Sequence, residues 1–251
     1  MNTITIKHRY KGVDIYIHTQ EENNVKVTFE KAVKEGVDLS FVDMEGVNLV
    51  GVNLAGANLR GANFKGANLR AANFKGANLR AVNLRAAILE GANLRAANLR
   101  AANLEAVNLK SANLKSANFR GTNLEGANFK GANLRCANLQ DANLQGIKHD
   151  LAVPKIKNLH QKIADNVTKS NLEMSYWYST DCGTTHSHAG HIIHLAGEEG
   201  YALEQSTSTP LAAILIVNNS SEIEIPVDMF YIDNKAALLN IKELARKEAE
   251  L

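Results

Sequence analysis

Two groups of residues have types and spacings that could do chemistry. The first is Arg60, Arg80, Arg100 and Arg120 with Lys75, Arg95, Lys115 and Arg135, two sets of cations that each recur every 20 residues. On a frame with that repeat the like charges would stack and repel, which favours an anionic partner. Nucleic acid, a nucleotide or an acidic protein surface would meet that need. The second group is Cys182 with His186, His188, His191 and His194, four of the eight histidines within nine residues. Thiolate and imidazole suit zinc. Cys182 could also be a nucleophile with His186 as its base. The spacing matches no standard zinc signature, and no orienting third group or oxyanion site is visible. The plain alternative is that Cys182 and His186 bond to backbone and pack on Trp177. No phosphate loop or paired-carboxylate motif is present. The sequence therefore assigns no catalytic residue, no metal and no cofactor.

The frame that would carry the cations runs over residues 37–147. From Leu39 to Leu144 a Leu, Phe or Met stands at every fifth position, making 22 consecutive units. The typical unit is Ala57-Asn58-Leu59-Arg60-Gly61. Two places before each bulky residue is Ala, Val or Thr, and between them Asn or Asp, with Ile88 the one departure. Two places after is mostly Gly, Ala or Ser. A period of five fits neither an α-helix nor a strand. Fixed internal repetition points to a solenoid. The bulky residue and the small one before it would point inward, and the last small residue would allow a tight turn. The Asn amide would bond to nearby backbone and hold the corner. Four units would close one roughly square coil of 20 residues, and stacked coils would pair at about 4.8 Å.

These Ala-Asn-Leu and Ala-Asn-Phe units resemble the pentapeptide-repeat family. The resemblance implies a right-handed quadrilateral β-helix, here of about five and a half coils and roughly 26 Å long. It covers about 110 of the 251 residues. It says little about activity, because the family serves many roles. Further stretches resemble pentapeptide-repeat proteins of bacteriophages and bacteria: Ile6 to Tyr10, Phe29 to Leu39, Cys182-Gly-Thr-Thr-His186, and His194 to Gly197. In those relatives a second Cys usually stands where this chain has Ser187, and Arg and Trp where it has His188 and His191. These departures remove a possible sulfur ligand. The implied source is phage or bacterial, with no activity attached.

The net charge of +2 conceals an uneven distribution. Residues 1–36 carry 6 basic and 5 acidic side chains, residues 37–147 carry 13 and 7, and residues 148–251 carry 9 and 14. A basic solenoid and an acidic C-terminal segment could drive head-to-tail homo-oligomers or engage two different partners. Cys136 and Cys182 are too few for a disulfide framework, and Cys136 reads as an incidental thiol. A reducing compartment is the simpler expectation. No apolar run of 18 residues predicts a membrane helix, and Met1 to Tyr10 does not read as a signal peptide. The cytoplasm of a bacterial cell, infected or not, is the expected location.

Three segments follow. In residues 1–36, alternation over 3–8 and 13–18 predicts a β-hairpin, and Phe29, Ala32 and Val33 predict a short helix ending at Gly36. Together they would cover the open apolar end of the solenoid. Residues 37–147 are the β-helix. Residues 148–251 predict a small, mainly α C-terminal domain. Its helices would run from Ile156 to Val167, from Ala189 to Ala196, after Thr209-Pro210, and from Asp233 or Asn234 to Glu250.

A non-enzymatic binding or assembly scaffold is the function this pattern predicts, with Arg60, Arg80, Arg100, Arg120, Lys75, Arg95, Lys115 and Arg135 as contact surface. Two objections apply to nucleic acid. A ladder of about 4.8 Å does not match about 3.4 Å per phosphate along one DNA strand. No aromatic residue interleaves the cations, which argues against base stacking. Exposed Arg or Lys is also a soluble choice in any duplicated repeat. The first alternative is a modulator of a type II topoisomerase or another DNA enzyme. Family members thought to imitate DNA need an acidic rod, however, and this one is basic. The second alternative is a zinc- or thiol-dependent enzyme built on the C-terminal segment.

Overall fold

Each five-residue unit folds as one straight step and one turn. After the bulky residue the chain reverses within three residues, as where Val52 N donates to Leu49 O at 3.1 Å. The third residue of the turn has positive φ, the geometry a type II turn requires. Glycine takes it without strain at Gly51 and Gly61. Eleven non-glycine residues take it too, among them Ala96 and Ala101, both at φ 55. Cys136 stands at one of these corners (φ 57).

The computed structural model describes residues 1–21, 24–150, 153, 155–157, 159–169, 178–179, 184–185, 192–193, 195–206, 209–220 and 234–250. They fall into two compact units, one of Met1–Asn138 with Ala142–Asp150, the other of Leu139–Asp141 with Leu151–Leu251.

In the first unit, consecutive coils pair in parallel with a register of 20 residues, from Asp43↔Asn63 to Asn128↔Lys148. Leu49 N donates to Asn68 O, and Asn68 N donates to Val47 O, both at 2.8 Å. Four five-residue steps therefore close one coil. Inside, Leu59, Phe64, Leu69 and Phe74 are fully buried, as are Ala62, Ala67 and Ala72. The inward pair of each unit is thus the one expected. Where Thr122 takes the small place, its buried hydroxyl donates to Leu99 O at 2.9 Å. The Asn side chain does two jobs. Its Oδ1 accepts from the amide two residues on, as Asn73 does from Lys75 at 3.1 Å. Its Nδ2 donates to the Asn one coil earlier, as Asn78 does to Asn58 at 2.9 Å.

The first coil has no coil before it, so its amides need other partners. Two antiparallel strands, β1 (Asn2–Lys7) and β2 (Asp14–Gln20), and helix α1 (Val25–Lys34) supply them. Arg9 N donates to Phe41 O, Asp43 N donates to Lys7 O, and His8 bridges Val42. Helix α1 is N-capped by Asn24, whose Oδ1 accepts from Val27 N at 2.9 Å. Its Phe29 and Ala32 are buried. Glu30 Oε1 accepts from Asn53 N at 2.9 Å, filling the place that a preceding coil's carbonyl fills elsewhere.

The second unit contains α2 (Leu159–Lys169), a two-residue antiparallel pair β3 (Tyr178–Ser179) and β4 (Thr184–Thr185), α3 (Gly197–Ser206), α4 (Thr209–Ser220) and α5 (Asn234–Ala249). The helix expected from Ile156 begins later, at Leu159. Ile156 is buried ahead of it, its amide bound to Ser220 Oγ at 2.8 Å. Every residue from Leu211 to Val217 is buried, as suits a helix apolar on all sides. Of the helix expected over Ala189 to Ala196, residues 189–191 and 194 lie outside the described residues. His160 is buried, neither of its ring nitrogens has a partner among the described residues, and burial holds its pKa below the usual range against the opposing charge of Glu248.

Candidate functional site

The residue after each bulky side chain takes the second place of its turn and projects outward. The 20-residue register sets such residues one above another, so the surface of the first unit carries four columns of outward side chains. Two columns carry both signs of charge. Lys65 lies 2.9 Å from Glu45, Arg85 3.3 Å from Glu105, and Glu90 lies between Arg70 at 2.8 Å and Lys110 at 3.7 Å. The Glu45 carboxyl is held below its usual range by its bonds to Lys65 and Asn63.

The other two columns hold the cations read from the sequence. One is Arg60, Arg80, Arg100 and Arg120, the other Lys75, Arg95, Lys115 and Arg135, and they belong to consecutive units of the coil. Arg60, Lys75, Arg80, Arg95, Arg100 and Arg120 are exposed, Lys115 and Arg135 half-buried. The ion pairs just described lie on the two mixed columns. The backbone under the cations is tied by Asn, as where Arg80 N donates to Asn78 Oδ1 at 3.3 Å. Such a surface can hold an anion by charge and by guanidinium hydrogen bonds.

No aromatic residue interleaves the cations, but the structure sets two rings beside one end of the arginine column. Phe41 occupies a corner where most units have a small residue, and the Arg60 guanidinium stands 5.8 Å from its ring centroid. Tyr10, carried there by the turn between β1 and β2, lies 6.1 Å from Phe41. The signal available in the sequence was Phe41 itself, a bulky residue at the small place of its unit.

Cys182, His186, His188, His191 and His194, with Trp177, lie outside the described residues. Among the described residues no cluster of three or more His, Cys, Asp or Glu could hold a metal ion. No helix among them is long and apolar enough to cross a membrane.

The family profile described as pentapeptide repeats (8 copies) matches residues 38–76, 77–115 and 112–148. Among solved structures, the chain is similar to the pentapeptide repeat protein Rfr23 of the cyanobacterium Cyanothece 51142. The identity is 34%, over 43% of this chain and 84% of that one, with a TM-score of 0.31. A pentapeptide repeat protein of the Arabidopsis thaliana thylakoid lumen matches at 36% identity, over 41% and 68%, with a TM-score of 0.33. Full-length QnrB1, a plasmid-mediated fluoroquinolone resistance protein, matches at 21% identity, over 43% and 79%, with a TM-score of 0.19. No curated protein matches. With 22 units in phase, one coil for every four of them and the family profile covering that same stretch, the chain belongs to the pentapeptide repeat family, whose members fold as right-handed quadrilateral β-helices.

Proposed function

We propose that this chain is a non-enzymatic binding or assembly scaffold whose two neighbouring basic columns contact an anionic partner. One observation carries the reading. The same repeat grammar that pairs Lys65 with Glu45 and Arg70 with Glu90 puts no acid between Arg60 and Arg120, or between Lys75 and Arg135. The rigid stack fixes the backbone under the cations before binding, so the cost of contact is limited to ordering their side chains.

In this reading β1, β2 and α1 serve as the N-terminal cap, because they satisfy the amides of Asp43 and Asn53 that lack a preceding coil. Residues 148–251 form a mainly helical C-terminal domain with a separate role. The basic columns disfavour imitation of DNA, which needs an acidic surface.

A pull-down from bacterial lysate tests the proposal, with wild type beside Arg80→Glu/Arg100→Glu and with each sample nuclease-treated or not. A partner captured by wild type and lost by the variant supports it. A partner kept equally by both proteins removes the basic columns from the function.

A further inference from the structure

The turn between β1 and β2 brings the rings of His8 and Tyr10, with Arg9, against Phe41 at the head of the Arg60, Arg80, Arg100 column. His8 Nδ1 accepts from the amides of Tyr10 at 3.1 Å and Lys11 at 3.2 Å, so the ring holds the turn in shape. The His8 centroid lies 5.5 Å from that of Phe41 and 6.2 Å from that of Tyr10. The Arg9 guanidinium stands 5.2 Å from the Tyr10 centroid. Gly61 makes room for the cluster, since a Cβ there would sit 2.4 Å from Phe41 Cε1. Yet Tyr10 remains 70% exposed. Anchoring the hairpin to the coil does not require a ring so open to solvent.

An exposed aromatic platform at the end of a cation track is the combination that holds single strands. The bases stack on the rings and the phosphates follow the cations. A duplex cannot use it. Its bases are enclosed, and its axial step of about 3.4 Å per phosphate is fixed against a ladder of about 4.8 Å. A single strand can extend or bend to meet each arginine in turn. Glu45, already held by Lys65, lies near Arg9 and offsets part of its charge. Lys11, Arg60, Arg80 and Arg100 are then the cations a strand would meet.

We infer that the His8, Tyr10 and Phe41 cluster binds an unpaired nucleobase, and that the partner of the basic columns is a single-stranded nucleic acid whose phosphates run along Arg60, Arg80 and Arg100. The inference rests on the anionic-partner reading and narrows it to one chemical class.

The test uses the full chain and a fluorescently labelled oligothymidylate, read by anisotropy, against the same strand annealed to oligoadenylate. The single strand binds more tightly than the duplex. Tyr10→Ala weakens it by roughly 5- to 150-fold, the worth of one stacked base, while Tyr10→Phe retains it. Arg80→Gln/Arg100→Gln lowers the logarithmic salt slope by about 1.4, two phosphate contacts on a single strand. Circular dichroism confirms that each variant is folded. Equal affinity for the duplex, or unchanged affinity in folded Tyr10→Ala, overturns the inference and leaves the rings as a hairpin anchor. If neither oligonucleotide binds but a nuclease-resistant protein partner still depends on Arg80 and Arg100, this inference fails and the anionic-partner reading stands. If that partner is absent too, both fail.

Discussion

Arg70 Nη2 and Glu90 Oε2 stand 2.8 Å apart across two adjacent coils, and Lys110 approaches the same carboxylate from the coil beyond. Being solvent-exposed, such pairs add little to stability, on the order of 0.2–1 kcal/mol. Their larger effect is that Glu90 offsets part of the cationic charge of this column, which Lys130 continues. Glu90→Gln should leave the thermal midpoint nearly unchanged, yet delay elution from a heparin column to higher salt, because Arg70, Lys110 and Lys130 then form a third basic column. Unchanged elution would mean that net column charge does not govern anion contact.

Ile88 interrupts the asparagine ladder between Asn68 and Asn108. Elsewhere an Asn makes both bonds, as Asn73 donates to Asn53 in the coil before and accepts from the amide of Lys75 two residues on. Ile88→Asn should restore both kinds of bond, each worth about 0.5–1.5 kcal/mol. The half-buried Ile88 side chain gives back only part of that gain. Urea unfolding should show a higher midpoint for the variant, and a lower one would place the value of Ile88 in packing.

Corner residues offer a matched pair of experiments. Ala96 and Ala101 hold φ 55, a region that costs an L-residue about 1–2 kcal/mol. Each Ala→Gly change should stabilise by about 0.5–1 kcal/mol after the extra freedom of Gly in the unfolded chain is counted. The reverse change at Gly66, which has nothing within 4 Å of an added Cβ, should cost only the backbone strain. Gly61→Ala should cost clearly more, because the Phe41 ring must also move. Equal losses at 61 and 66 in chemical denaturation would show that the ring yields freely.

Alkaline pH should loosen the N-terminal unit through Tyr16. Its hydroxyl donates to Glu35 Oε2 at 2.6 Å. Burial, that bond and the charge of Glu35 push its pKa up from 10.0 to about 12. The folded chain keeps this proton where the unfolded chain gives it up. The stabilisation is therefore whole below about pH 10, falls as pH rises, and is spent by about pH 12. Tyr16→Phe should lose stability less steeply over that interval. Ultraviolet titration of wild type should show one tyrosine ionising late, and its absence would sink the assignment.

Much of the fold could be read from the chain because its core contacts repeat. A bulky residue at every fifth place fixes which side chains point inward, and Asn before it explains the corner. The two cation columns followed from the same arithmetic. The ring cluster did not, since it joins Tyr10 to Phe41 across a hairpin and a helix, and no period links those positions. The pairing of Glu30 with the amide of Asn53 was hidden for the same reason, being a repair at the end of a repeat. In the second unit the start of α2 was misplaced because Ile156 is buried without being helical, its amide taken by Ser220.

The 20-residue register also limits how this gene can change in length. Adding or deleting one five-residue unit would rotate every later side chain by one side of the square, so that one of the two basic columns would run on into a column that contains glutamate. Adding four units would restore alignment and extend the track by one more cation in each basic column. Duplication in whole coils thus acts as a ratchet that lengthens the binding surface stepwise, with its spacing unchanged.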